Sequence, residues 1–188
     1  MKIVGLSGSN LGSKTRTAMD YTIAKMKEQY PYHEVTLIDL ADYPLVFSDG
    51  RNYFEYEGPT KEVLELIMAA DALVIGTPTF QASIPATLKN VFDLLPVNAF
   101  RDKVVSVVVT AGSAKHYLMV EQQLKPILSY MKATLVPSYV FIEEKDFLRK
   151  EIINDDILFR IERLVEDTVM LVETQSKMRE LRDAQYDF

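Results

Sequence analysis

Residues 72–95 read ALVIGTPTFQASIPATLKNVFDLL, and this stretch decides the fold class. It opens with an uninterrupted apolar run at residues 73–75, which indicates a strand buried on both faces that Gly76 is expected to end. It closes with apolar residues at helical spacing, namely Leu88, Val91, Phe92 and Leu95. The loop between them, residues 77–85, carries no charge. A buried strand, an uncharged loop and a helix together predict one unit of an α/β protein.

The same alternation of strand and helix continues in both directions along the chain. Further strands are predicted at residues 2–6, 34–39, 103–110 and 134–142, the last of them broken at Pro137. Helices are predicted after the first loop as far as Pro31, at residues 61–70, after Lys115 as far as Met131 with a bend at Pro126, and from residue 151 onward. We therefore predict a flavodoxin-like three-layer sandwich with a five-stranded parallel sheet in the order 2-1-3-4-5.

The composition of the chain excludes several classes of function. With 188 residues and 48% hydrophobic content, we expect a single domain over residues 1–188, in which residues 173–188 form an oligomer contact or a frayed tail. The net charge of −6 argues against nucleic-acid and membrane-surface partners. The chain has no cysteine and only two histidines, so we expect no disulfide and no metal site. We expect a cytoplasmic protein in which any redox chemistry comes from an organic cofactor.

Hydroxyl and glycine residues crowd the loop after the first strand, just before a predicted helix. Free backbone N–H groups and hydroxyls at the positive end of a helix suit a phosphate group. The loop has neither the Walker pattern nor GxGxxG, which favours a phosphomonoester over a pyrophosphate. The alternative is a hydroxyl-rich helix cap without a ligand. The candidate ligands are Ser7, Ser9, Ser13, Thr15 and Thr17, with Lys14 or Arg16 as a source of positive charge.

Two more loops are expected at the same edge of the sheet, because the carboxyl ends of parallel strands share one edge. Their backbone N–H groups suit the polar edge of a flat isoalloxazine ring, and Phe80 offers an apolar wall. The alternatives are that Phe80 is a core aromatic residue and that Gly112 only serves a turn. The candidates are Pro78, Thr79, Phe80, Gln81 and Ser83 in the third loop, and Thr110, Ala111, Gly112 and Ser113 in the fourth.

Over residues 2–142 the chain resembles the NADPH-dependent FMN reductase family, and most closely the reductases of two-component alkanesulfonate monooxygenases. The residues that carry the resemblance are the phosphate loop, residues 6–17, and the segment TPTFQASIPATLKN at residues 77–90. The resemblance implies FMN in the three loops and NADPH or NADH as the hydride donor, with Tyr117 beside the ring. It implies no catalytic side chain. Gln122 stands where those reductases carry a bulge-forming tyrosine, which favours a tightly held FMN.

Three functions fit this pattern. The first is an NAD(P)H-dependent flavin reductase, an oxidoreductase that passes electrons to free flavin, a quinone, an azo compound or a partner oxygenase. The second is a non-enzymatic electron carrier of the flavodoxin kind, and the third is an interaction domain without cofactor. The resemblance further implies a homodimer or homotetramer whose partner is a small-molecule acceptor or a flavin-dependent monooxygenase. Oxidation of a pyridine nucleotide would distinguish the first function from the second.

Overall fold

The computed structural model describes residues 1–184 and has a parallel sheet at its centre. The strand order is β2-β1-β3-β4-β5, with β6 also paired to β4. The predicted α/β flavodoxin-like order is therefore confirmed. The strands are β1 (Lys2–Ser7), β2 (Glu34–Asp39), β3 (Ala72–Pro78), β4 (Val104–Ala111), β5 (Thr134–Leu135) and β6 (Val140–Glu143).

Helices cover both faces of this sheet and bury two separate apolar cores. One core contains Leu73 and Ile75 of β3, and the other contains the alternate residue Val74, as expected for a strand buried on both faces. Within residues 1–184, no helix combines the length and the apolar character that a bilayer crossing requires. The helices are α1 (Lys14–Gln29), α2 (Gly58–Ala69), α3 (Ala86–Leu94), α4 (Lys125–Tyr130) and α5 (Asp155–Ala184).

The fifth position in the sheet is shared by two short strands, as the proline at residue 137 predicts. β5 pairs with Val104 and Val105, and β6 pairs with the other half of β4, from Val108 to Ala111. Because proline cannot donate a ladder hydrogen bond, the chain leaves the sheet at Pro137 and returns at Val140. Beyond β6 a small antiparallel hairpin follows, formed by β7 (Phe147–Leu148) and β8 (Glu151–Ile152).

The prediction that Gly76 ends the third strand is wrong, because β3 continues to Pro78. Gly76 instead permits a close approach of α1. A Cβ atom at this position would lie 2.3 Å from Cγ and 2.5 Å from Sδ of Met19. The glycine thus marks a packing contact between strand and helix. The third loop begins after Pro78, later than the sequence pattern indicated.

Two helix predictions also need correction. Residues Val120–Leu124 form a π-helix, in which the N–H of Lys125 donates to the carbonyl of Val120, and Pro126 lies in the first turn of α4 rather than at a bend within one α-helix. Proline lacks the N–H that an α-helix would use here, so the change of helix type precedes it. The closing helix begins at Asp155 and not at residue 151, because Glu151 belongs to β8.

The predicted tail remains helical as far as Ala184, and its apolar residues Met178 and Leu181 are exposed. It keeps some contacts with the domain: Gln175 donates to Thr134 over 2.6 Å, and Arg179 lies 3.8 Å from Asp71. The end of the predicted tail, residues 185–188, lies outside the described residues. Whether the tail forms an oligomer contact stays a prediction.

Candidate functional site

The loops that follow β1, β3 and β4 meet at the carboxyl edge of the sheet and enclose a cleft of about 350 Å³. Backbone hydrogen bonds join the loops: Gly8 donates to Gly76 over 2.7 Å, and Thr79 donates to Thr110 over 2.9 Å. Nine of the predicted site residues line the cleft, namely Ser13, Lys14, Thr15, Pro78, Thr79, Phe80, Thr110, Ala111 and Gly112.

The first loop is folded by its own side chains before it enters α1. The Ser9 hydroxyl donates to the carbonyl of Leu11 over 2.6 Å and accepts from the N–H of Leu11 over 3.1 Å. Gly12 follows with a φ of +79°, which favours glycine. Ser13 occupies the N-cap position of α1, but its side chain makes no hydrogen bond to the helix. The first N–H groups of α1, which have no acceptor within the helix, therefore remain for a ligand.

A pair of buried hydroxyls ties the first loop to the fourth. Thr15 Oγ1 and Thr110 Oγ1 are 2.7 Å apart, and both residues are almost fully buried. One hydroxyl donates and the other accepts, so each satisfies a polar group that burial would otherwise leave unpaired. This contact fixes the start of α1 against the end of β4.

The third loop contains a strained two-residue turn. Gln81 and Ala82 have φ values of 49° and 61°, and Phe80 and Ser83 exchange backbone hydrogen bonds of 2.9 and 3.0 Å around them. Two positive φ values in succession are the pattern of a type I′ turn, which glycine and asparagine prefer. Strain of this kind is concentrated at functional sites. The turn holds the Phe80 ring, which is 38% exposed, at the wall of the cleft.

One polar atom of the cleft is buried without a partner. Thr79 Oγ1 makes no hydrogen bond to any residue that the structure describes, although the threonine lines the cleft. A buried hydroxyl without a partner is costly and calls for an explanation, of which an external hydrogen-bond acceptor is one.

The two predicted cations are both engaged with carboxylates. Lys14 forms an ion pair with Glu144, and its ammonium lies 6.0 Å from the centre of the Phe147 ring. Arg16 donates to Asp39 over 2.7 Å and to Asp20 over 2.9 Å, and these hydrogen bonds raise the pKa of its guanidinium. Arg16 is thereby held toward the end of β2, outside the residues that line the cleft.

The remaining predicted residues do not line the cleft. Tyr117 contributes instead to a separate cavity of about 670 Å³, where its ring lies 5.4 Å from the rings of both Tyr139 and Phe141. Ser83 Oγ lies 3.5 Å from an amide oxygen of Gln123 in the π-helix. The predicted residues that do not line the cleft are Ser7, Ser9, Arg16, Thr17, Gln81, Ser83, Ser113 and Tyr117.

Sequence reasoning did not include Leu11, Gly12 and Glu144 among the candidate residues, although all three line the cleft. Leu11 and Gly12 lie inside the first loop and were omitted because the argument there rested on hydroxyls. Glu144 follows the last strand of the sheet. The rule that brought the other loops together applies to this strand as well, since its carboxyl end lies at the same edge.

Comparison with known proteins places the chain among flavin reductases. The family model for NADPH-dependent FMN reductase matches residues 1–147. An NAD(P)H-dependent FAD/FMN reductase from Geobacillus thermodenitrificans is 39% identical over 170 residues, which are 90% of this chain and 92% of that protein. An FMN reductase (NADPH) from Pseudomonas aeruginosa is 31% identical over 180 residues, 94% of this chain and 95% of that protein.

A solved structure agrees with the fold. The apo form of the NADH:FMN oxidoreductase EMOB superimposes with a TM-score of 0.75 at 24% identity, over 88% of this chain and 86% of that chain. The family model covers most of the chain and identity to full-length relatives exceeds 30%. The chain belongs to the NADPH-dependent FMN reductase family.

Proposed function

We propose that the protein is an NAD(P)H-dependent flavin reductase that holds FMN in the cleft formed by the first, third and fourth loops. The observation that carries the proposal is the convergence, at one sheet edge, of an open helix start, an aromatic wall and a buried hydroxyl that has no partner among residues 1–184. Family membership supports the same cofactor and the same reaction class. When bound, the flavin would supply the two-electron chemistry, as acceptor of a hydride from NADPH or NADH.

The residues of the cleft fit a phosphorylated flavin. The free N–H groups at the start of α1, together with the Ser13 hydroxyl, would hold the phosphate, since both donors and helix dipole favour an anion. Phe80 would pack against the ring system from one side. The Thr79 hydroxyl would donate to a polar atom of the ligand and so lose its burial cost.

The protein's part in the reaction is to orient and to exclude water. Hydride transfer requires two stacked rings at short distance, and it requires no side-chain acid or base. The Thr15–Thr110 contact and the Phe80–Ser83 turn fix the walls of the cleft, so the site is largely formed before a ligand binds. No side chain is therefore assigned a catalytic role.

Further features of the function are part of the same proposal. We infer a cytoplasmic homodimer or homotetramer that delivers electrons to a small-molecule acceptor or to a flavin-dependent monooxygenase. Exposed apolar side chains support self-association, among them Val97 and Tyr130, which line one groove between α3 and α4. Light scattering at several concentrations measures the assembly directly, and a monomer at all of them would overturn this part.

The function is tested by oxidation of NADPH and NADH after exhaustive dialysis, with and without added FMN. We expect oxidation that depends on flavin. Yellow colour that survives dialysis would support a tightly held FMN, and a requirement for added FMN would make flavin an exchanging substrate. A protein that binds FMN and leaves both nucleotides unoxidised would be an electron carrier, and one that binds no flavin would be an interaction domain.

A further inference from the structure

One carboxylate lies in the cleft beside the start of α1, where the proposed phosphate site is. Among the twelve residues that line the cleft, Lys14 is the one cation and Glu144 is the one anion. We propose that Glu144 competes with the flavin phosphate for Lys14. This competition sets the affinity of the cleft for FMN and its selectivity between FMN and flavins that lack the phosphate. This inference rests on the proposed function, because it concerns the same cleft.

Glu144 is held in place by the segment that follows β6. It begins a single helical turn, Glu144–Asp146, and Asp146 is buried. The carboxylate of Asp146 accepts from the N–H of Glu143 over 2.9 Å and from the side chain of Asn154 over 2.7 Å. The backbone of the turn is thereby anchored to the start of α5, so the Glu144 carboxylate is presented at the rim of the cleft rather than on a free loop.

Because Lys14 is paired with Glu144, no unpaired positive charge is left among the described residues that line the cleft. Arg16, two residues after Lys14, is engaged with Asp20 and Asp39. An incoming phosphate must therefore either displace Glu144 from Lys14 or bind through backbone N–H groups and hydroxyls alone. Displacement is feasible because the side chains of Lys14 and Glu144 are 34% and 63% exposed, and exposed ion pairs contribute little net free energy.

Competition of this kind acts only on ligands that carry the phosphate. The phosphate of FMN competes with the carboxylate of Glu144 for Lys14. Riboflavin has the same ring and ribityl chain but no phosphate, so its binding involves no such competition. Removal of the Glu144 charge should thus strengthen FMN binding and leave riboflavin binding unchanged. The effect should also shrink as salt screens the charges.

The test is the dissociation constant of FMN and of riboflavin, measured by quenching of flavin fluorescence at low and at high salt. For Glu144→Gln we expect FMN binding to tighten by about three- to tenfold at low salt, the range set by an exposed charge near an anion, with riboflavin affinity changed by less than about twofold. When Lys14→Met is already present, Glu144→Gln should tighten FMN binding by at most half as much on a logarithmic scale, because no ammonium group is left to compete for. Glu151→Gln makes the same change of charge in the neighbouring hairpin and should alter neither constant.

Each other outcome has a definite meaning. If Glu144→Gln leaves FMN affinity unchanged while the native protein binds FMN, this inference fails and the proposed function stands. If the variant weakens FMN and riboflavin alike, Glu144 is an acceptor for the ribityl hydroxyls and the competition is disproved. If the native protein binds neither flavin, the proposed function itself fails, and the inference fails with it.

Discussion

Thr79 offers the sharpest test at the scale of a single residue. The residue lines the cleft, and its hydroxyl is buried and has no hydrogen-bond partner among the described residues. Thr79→Val keeps the shape of the side chain and removes the hydroxyl. We expect FMN affinity to fall by about five- to tenfold, the effect of one hydrogen bond, while the free energy of unfolding of the ligand-free protein stays level or rises. Fluorescence titration and urea denaturation measure the two quantities.

Thr77→Val is the matched control for this substitution. The Thr77 hydroxyl is also buried, but it donates to the carbonyl of Pro78 over 2.9 Å and does not line the cleft. We expect this variant to lose stability and keep its FMN affinity. The account of Thr79 is wrong if Thr79→Val binds FMN as tightly as the native protein does.

Gly76 gives a second prediction at this scale, on stability alone. In Gly76→Ala the new methyl group would overlap Met19, so β3 and α1 would have to separate or Met19 would have to repack. Overpacking of this kind should lower the free energy of unfolding by about 1–3 kcal/mol. Gly112→Ala is the control, since a Cβ atom there would have no atom of residues 1–184 within 4 Å outside its chain neighbours. Equal stability of the two variants in urea denaturation would contradict the packing role of Gly76.

Sequence reasoning predicted the positions of the site residues better than the directions of their side chains. The three loops could be brought together because parallel strands end at one edge. Lys14 and Arg16 could not be oriented, because their carboxylate partners Glu144 and Asp39 are remote in the sequence and become neighbours only in the folded chain. The Tyr117 ring packs on Tyr139, which directly precedes β6, and its place beside the cofactor stays a prediction.

At the scale of elements, the side chain of Lys103 caps the carboxyl end of α2. Its ammonium donates to the carbonyls of Met68, over 2.7 Å, and of Ala70, and burial lowers its pKa. These carbonyls end the helix and have no partner within it. Lys103→Met should therefore lower the free energy of unfolding by about 1–3 kcal/mol, as expected for hydrogen bonds to a charged group. The measurement is urea denaturation, with the exposed Lys115→Met as control; equal loss in both would refute the capping role.

The elements themselves were predictable where a long apolar pattern existed. β2 and the two-piece strand at the fifth position agree with the sequence pattern. The π-helix was not predictable from periodicity, because the apolar residues Val120 and Leu124 fit an α-helix equally well. Gln122 lies within this π-helix, so the bulge forms here without the tyrosine that accompanies it in the resembling reductases. Tight FMN binding, which was argued from Gln122, stays a prediction.

At the scale of the whole molecule, one buried histidine links stability to pH. His33 lies beside the rings of Tyr30 and Tyr32, and both ring nitrogens are buried without a hydrogen-bond partner among residues 1–184. Burial lowers the pKa of His33 below 6.5, and the N-terminal ammonium lowers it further. The carboxylates of Glu173, at 3.6 Å, and of Asp71 raise it. The effect of burial is larger than that of the two carboxylates, because desolvation destabilises the charged imidazolium more than the neutral ring.

The sign of the pH dependence follows from this lowered pKa. Between 6.5 and the lowered value the unfolded chain binds a proton at His33 that the folded chain does not bind, so acidification favours unfolding. The free energy of unfolding should fall by up to about 1.4 kcal/mol per pH unit in this window and be unaffected by this group above it. His33→Phe should flatten the slope, and His116→Phe, which leaves the buried site intact, serves as control. An unchanged slope in His33→Phe would exclude the mechanism.

The architecture as a whole was the most predictable feature, because it depends on periodicity and on the right-handed connection of parallel strands rather than on any single contact. Residues 72–95 illustrate this: the strand, loop and helix are present, although the strand runs three residues further than predicted. A boundary set by the close approach of α1 to Gly76 depends on tertiary packing, which no local pattern encodes.

The central claim is that FMN binds where the loops after β1, β3 and β4 meet. A crystal structure of the protein with FMN tests it most directly. We predict the phosphate at the start of α1 near Ser13, with Phe80 against the ring system and Thr79 in hydrogen-bond contact with the ligand. Flavin bound instead in the larger cavity beside Tyr117 and Phe159, with the cleft empty, would contradict the account.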